Sequence, residues 1–248
     1  MIKNILKGIR AYFGAFKLIS KLKLWKYFRI PILISVFTAI AIGGLAYSLS
    51  DTIGHTISNM WKWEFGKNVF EMISTFFSGL LIVVVGLLLY KHIIMALSAP
   101  FMSPVSEKIE DYMTGENHTH RETSFQEQLI RGIRINIRNL SRELLYTIPL
   151  LLLSLIPVIG IFSTFLLFIV QAYYAGFGNM DYTLERHFKY KESVQFVNDN
   201  KGITIGNGIV FMLFLLVPFI GVILVLPLSV TAATTETIKK IQLKELSK

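Results

Sequence analysis

Leu144–Met180, LLYTIPLLLLSLIPVIGIFSTFLLFIVQAYYAGFGNM, is a run of 37 residues without a charged side chain, broken near its first third by Pro157-Val-Ile-Gly160. Such a run has no place in a soluble protein. As one helix it would extend roughly 55 Å at about 1.5 Å per residue, far beyond a hydrocarbon core of roughly 30 Å. As two full spans it is short, because Leu144 to Pro157 covers only about 21 Å. The economical solution is a helical hairpin that enters one leaflet, turns at Pro-Val-Ile-Gly and returns. Ile203 to Thr235 is likewise free of charge, and Pro218-Phe-Ile-Gly221 repeats the turn between halves of similar length. One broken hydrophobic unit is therefore carried twice.

The rest of the chain agrees with an integral membrane protein. Of 248 residues, 53% are hydrophobic and 17% charged, and the mean hydropathy of +0.55 exceeds that of ordinary globular domains. Cysteine is absent, which removes disulfides, thiolate metal sites and cysteine nucleophiles at once. The net charge of +9 comes almost wholly from residues 1–29, which hold eight Lys or Arg and no acid. In that segment Lys3, Lys7, Arg10, Lys17 and Lys21 oppose Ile5, Ile9, Tyr12, Phe13, Phe16 and Ile19, the pattern of an amphipathic helix lying in the headgroup layer. It is too long and too charged for the start of a signal peptide.

Ile30 to Ser50 and Met72 to Tyr90 read as spanning helices, joined by a short link in which Trp61 and Trp63 suit an interfacial belt. Eight cations precede the first span and a net charge of minus one follows it, so the positive-inside rule predicts cytoplasmic N- and C-termini. Residues 91–143 are polar, with seven basic and seven acidic groups, and form a predicted cytoplasmic region. Within it Leu129, Ile133, Ile137 and Leu140 share one helical face, and Arg131, Arg134, Arg138 and Arg142 share another, giving a second interfacial helix. A basic tail follows from residue 236. The predicted fold class is thus an all-α integral membrane protein in a single domain, with two transmembrane helices, two half-penetrating hairpins (144–180 and 203–235) and amphipathic interfacial helices. Six full spans would give the same parity; only the length argument favours re-entrant hairpins.

Several segments resemble one known family. Ala99-Pro-Phe-Met-Ser-Pro-Val-Ser-Glu107 with Tyr112-Met-Thr-Gly115, then Asp181-Tyr-Thr-Leu-Glu-Arg186, Lys201-Gly-Ile-Thr-Ile-Gly206-Asn-Gly208 and Pro227-Leu-Ser-Val-Thr-Ala-Ala-Thr234, occur in the order found in the CysZ-like sulfate permeases, which share a domain with the etoposide-induced proteins. The resemblance implies a bacterial inner-membrane homo-oligomer that passes sulfate inward for cysteine synthesis. The family commonly shows Gly-Leu-Arg-Arg ahead of the Ile-Pro that opens the first span. Here Lys23-Leu24-Trp25-Lys26 stands in that place, so only Lys26 matches a basic position.

Sulfate recognition needs fixed N–H donors and positive charge at a dry site. Lys26, Lys23 and Arg29, just ahead of the first span, are candidate substrate contacts; the bland alternative is snorkelling to anionic lipid. Gly160 and Gly221 are further candidates, because a half-helix starting at each would aim its N-terminus at mid-membrane. Against this stands an ordinary buried turn. The Arg131–Arg142 stripe reads as a solvated or lipid-facing side, and Asp181, Glu185 and Arg186 as capping and local ion pairs. His118-x-His120, with Glu116 or Glu122 nearby, reads as a solvated loop rather than a metal site, and the Asn117-His-Thr119 pattern as unmodified. There is no phosphate-cradling loop, nucleophile elbow or H-E-x-x-H, so no enzyme, cofactor or metal is expected. The apolar segments carry no acid for a proton relay, which favours a passive or loosely coupled channel. Expected partners are sulfate or a similar oxyanion, membrane lipids and further copies of the chain, not nucleic acid. The competing reading is a non-transporting scaffold that wedges one leaflet.

Overall fold

The computed structural model describes residues 1–59, 67–115, 124–154, 156, 158–217 and 220–245. Trp61, Trp63, Glu116, Asn117, His118, His120, Glu122, Pro157 and Pro218 lie outside the described residues. Eight α-helices make up nearly all of the described chain, and no strand occurs in it. They are α1 (Ile2–Lys21), α2 (Arg29–Ser58), α3 (Lys67–Thr114), α4 (Phe125–Leu153), α5 (Ile159–His187), α6 (Tyr190–Asp199), α7 (Lys201–Leu215) and α8 (Ile220–Glu245), with a 3-10 turn, Leu24–Phe28, between α1 and α2.

The helices break where the sequence predicts, between α4 and α5 and between α7 and α8, but they run further than predicted. The helix that contains the second predicted span does not stop at Tyr90; α3 continues through Lys91 and His92 to Thr114, 48 residues in all. The residues after His92, Ile93-Ile-Met-Ala-Leu-Ser98, are as apolar as those before Lys91, so nothing ends the helix there. Pro100 and Pro104 lie inside it. Pro100 has no N–H to give to the carbonyl of Ala96, and Gly132 of α4 packs against that carbonyl, in a position where a side chain would meet it and Ala99. Residues 91–114 are therefore one helix with the second predicted span, and 67% of the apolar window within Val85–Thr114 is buried. Likewise α4 joins the predicted interfacial helix and the first half of the first hairpin into one element, opened by a capping box in which Ser124 Oγ accepts from the Glu127 N–H and Glu127 accepts from the Ser124 N–H.

Glycine decides how tightly the inner helices approach. Gly202 and Gly206 of α7 face α1, and a Cβ on Gly206 would stand 2.1 Å from the Ile5 carbonyl oxygen. From α1, Gly8 faces back toward the backbone of Ile203 and Asn207. On its other side α7 meets α5: Gly176 lies against the Thr204 carbonyl and Gly208 against that of Ala172. The spacing of small residues in Lys201-Gly-Ile-Thr-Ile-Gly206-Asn-Gly208 thus lets one helix touch two others at backbone distance, the packing used where lipid gives no hydrophobic drive. The α1 helix consequently does not simply float in the headgroup layer. Its Gly8, Ala15 and Ile19 face is buried against α7 and α8, while Phe13 and Phe16 stay exposed.

Outside this packed body the helices are bare. In the α2 region only 6% of the apolar window is buried, and Leu33, Phe37, Ile40, Leu45 and Tyr47 all point outward. The exposed face from Ile30 to Leu49 is about 30 Å long at about 1.5 Å per residue, a full hydrocarbon thickness. On the first hairpin the exposed apolar residues run from Ile130 to Leu153 along α4, about 36 Å, and from Ile159 to Leu166 along α5, about 12 Å. Among the described residues three stretches are long and apolar enough to cross a membrane by length and composition, Leu24–Thr56, Val85–Thr114 and Ile159–His187.

Candidate functional site

The inward face of α4 inverts the usual amphipathic rule. Its buried residues are Gly132, Ile135, Asn136, Asn139, Glu143 and Thr147, largely small or polar, whereas Ile133 and Ile137 of the apolar face are exposed. When the surroundings are hydrocarbon, the apolar face turns out and the polar face must be satisfied inside.

What it meets inside is α3. Lys91, 0% exposed, donates from Nζ to Glu143 Oε1 at 2.6 Å, and Glu143 is equally shielded. The ammonium also reaches the Gln171 carbonyl of α5 at 3.4 Å. His92 Nε2 lies 3.0 Å from Glu143 Oε2, and Nδ1 lies 3.2 Å from Asn136 Oδ1. Asn136 Nδ2 donates to the Gly132 carbonyl at 2.9 Å, which fixes Oδ1 as the atom facing His92. Both imidazole nitrogens thus face acceptors.

Two more ionic groups line the same interior toward the ends of α3 and α5. Arg186 donates to Glu110 Oε2 at 2.9 Å, to the carbonyls of Ser103 and Tyr182 and to Ser106 Oγ, while His187 pairs with the other Glu110 oxygen at 2.7 Å. Arg131 holds Asp181 with two donors at 3.0 and 3.2 Å and adds the Phe188 carbonyl and Ser193 Oγ. Burial works against the Arg131 charge, but the Asp181 carboxylate outweighs it and keeps the guanidinium pKa above its ordinary value. Between α5, α7 and α8, Asn179 donates to Asn207 at 2.9 Å, Asn207 to the Ser229 carbonyl at 3.0 Å, and Ser229 to Asn179 at 3.3 Å. Asp181 and Arg186, read from sequence as local capping partners, join helices 50 and 76 residues away.

The predicted site residues lie elsewhere. Lys23, Lys26 and Arg29 are exposed around the 3-10 turn, and Lys26 sets its ammonium 5.1 Å from the centre of the Tyr27 ring. Lys23 has φ +53°, in the left-handed region that favours glycine, at the position where the family commonly has glycine. Gly160 and Gly221 serve their turns: a Cβ would strike the Ser154 or Phe214 carbonyl, and their N–H groups are given to Ile156 and Val217. Neither glycine N–H is left over for an anion. Among the described residues no group of three or more His, Asp or Glu is arranged to hold a metal ion.

A membrane protein with this buried charge and these motifs matches the family described as sulfate transporter CysZ/etoposide-induced protein 2.4 over residues 11–226. The chain belongs to that family. No curated protein matches it. The Lys91–His92–Glu143 cluster escaped sequence analysis because each member sits one or two residues beyond an apolar segment, at what looked like a boundary with water. The apolar run from Ile93 to Ser98 was the available signal that Lys91 and His92 lie within a helix.

Proposed function

We propose that this protein is a permease for sulfate or a related oxyanion, passive or loosely coupled, whose path follows the polar interior between α3, α4 and α5. The observation that carries the reading is the shielded Lys91–Glu143 ion pair with His92 set against it. Charge in the apolar part of a membrane protein is costly and is retained where ions pass. A dianion needs positive charge and N–H donors there, and the family is one of sulfate transporters. Exposed Lys23, Lys26 and Arg29 would collect the anion at the membrane surface, and uptake would supply sulfur for cysteine synthesis. The exposed face of α2, about 30 Å long, fits a spanning helix, and two such spans with two half-penetrating hairpins belong to the proposal. The inner membrane of a bacterium, cytoplasmic termini and a homo-oligomer complete the proposal.

The test is uptake of radiolabelled sulfate into liposomes carrying the purified chain, with chloride, phosphate and sulfite as competitors. Saturable uptake blocked by sulfite but not chloride, and lost on Lys91→Met, is the expected result. No flux above empty liposomes from folded protein would overturn the reading and favour a scaffold that wedges one leaflet.

A further inference from the structure

A groove of about 510 Å³ opens on the other side of α4 from the apolar groove that borders His92, lined from α4 by Arg138, Arg142 and Tyr146, from α5 by Tyr173 and Tyr174, and closed by Lys201 at the start of α7. Its volume is in the range of small-molecule sites, roughly 300–1,000 Å³. We propose that this groove is an oxyanion-binding site, a place where the permeating ion is held before it reaches the interior charge cluster; this rests on the permease reading.

Four observations converge. Three cations line the groove and no acid does. Arg142 and Lys201 are exposed and paired with no carboxylate among the described residues, whereas Arg131, on the same stripe, is committed to Asp181. The neutral donors are already oriented. Tyr173 donates its hydroxyl to Asn198 Oδ1 at 2.8 Å, which leaves the Asn198 amide N–H groups, on the groove lining, for another acceptor. Arg138 donates to Asn139 Oδ1 at 3.0 Å, and the completely buried Asn139 Nδ2 has no hydrogen-bond partner. Finally, Lys201 is the first residue of α7, so its ammonium stands at the groove's edge where α6 ends and α7 begins. Guanidinium forks, ammonium and phenol O–H are the donors that a tetrahedral dianion accepts from. The Arg138–Asn139 bond also leads toward Glu143, one helical turn along α4 from Asn139, and so toward Lys91.

The same chemistry would suit the phosphate of a lipid headgroup, so the experiment separates the sources. Equilibrium binding of radiolabelled sulfate is measured on the full-length protein in nonionic detergent, for wild type, the Arg142→Gln/Lys201→Gln double variant, Arg142→Lys, and Arg10→Gln as a distant control. Phosphatidylglycerol retention is followed by native mass spectrometry, and thermal melts verify folding. Weakening of sulfate binding by about tenfold or more in the double variant, the scale of one lost charge-assisted hydrogen bond, is expected, with partial recovery in Arg142→Lys and no change in Arg10→Gln. Unchanged binding in the double variant, absent binding in wild type, or phosphatidylglycerol retention that depends on Arg142 and Lys201 without sulfate binding would each overturn the proposal. Liposome flux is read separately. Wild type that binds sulfate through these residues but passes none would refute the permease and leave the site, while flux with an unaltered half-saturation concentration in the double variant would remove the site and leave the permease.

Discussion

Lys91 and Glu143 meet at 2.6 Å across 52 residues of sequence, each completely removed from the surface. Breaking such a pair leaves a buried charge without its counter-ion. Glu143→Ala is expected to destabilise the protein by about 3–5 kcal/mol. Replacing both partners, Lys91→Met with Glu143→Leu, removes the uncompensated charge and should restore most of that loss, as read by thermal unfolding in detergent. Under the permease reading the refolded double variant passes no sulfate.

Lys23 occupies a left-handed backbone conformation at φ +53°. For a residue with a Cβ this costs about 1–2 kcal/mol. Lys23→Gly is expected to raise the melting temperature, while Lys23→Val, branched at Cβ, lowers it. A melt of the three proteins side by side decides the matter, and equal midpoints would contradict the assigned backbone.

Gly208 would place a Cβ 1.6 Å from the Ala172 carbonyl oxygen, and Gly43 has nothing within 4 Å. Gly208→Ala should therefore force α5 and α7 apart and destabilise the fold by about 1–3 kcal/mol or more, as overpacking does. Gly43→Ala should be neutral or gain up to about 1 kcal/mol from helix propensity. Denaturation midpoints of the two variants provide the comparison.

Arg131 reaches four acceptors from one guanidinium. A lysine there retains charge but loses the fork. Arg131→Lys is expected to cost about 1–3 kcal/mol, and hydrogen exchange should rise at the start of α6, where Ser193 loses its donor.

The chain has no cysteine, which makes single-cysteine mapping free of background. With a half-penetrating hairpin, Val158→Cys at the turn between α4 and α5 stays unreactive to an impermeant maleimide from either side of the membrane. A full crossing would make it reactive from outside.

The breaks of the hairpins and the all-helical character were legible because proline, glycine and unbroken apolar runs are local signals. The interior was not. Hydropathy counting treats Lys91 and Glu143 as the first residues beyond apolar segments, and only the packing of α3 on α4 turns two segment ends into one centre. The stripe Arg131, Arg134, Arg138, Arg142 follows helical spacing in sequence, yet its members diverge: Arg131 is bound to Asp181, Arg134 stacks 4.5 Å from the Tyr190 ring centre, and Arg138 and Arg142 face the groove. Periodicity gives the face of a helix, and the partner on the opposite helix gives the role. At Lys23, where the family commonly has glycine, the backbone takes the left-handed conformation that glycine adopts without strain, and no pattern in the sequence announced it.

Because α3 runs unbroken from Lys67 to Thr114, it is a single beam about 72 Å long, with Lys91 at its middle. Its outer arm packs along α2, whose exposed face matches a bilayer's hydrocarbon thickness, and its inner arm is clamped by α4, α5 and α8. A beam loaded at one end and held at the other transmits torque to its midpoint. Thinning or thickening of the bilayer is expected to tilt the outer arm, and with it the helix that holds Lys91 2.6 Å from Glu143. Lipid composition and the alignment of the central charges are thereby a single mechanical problem.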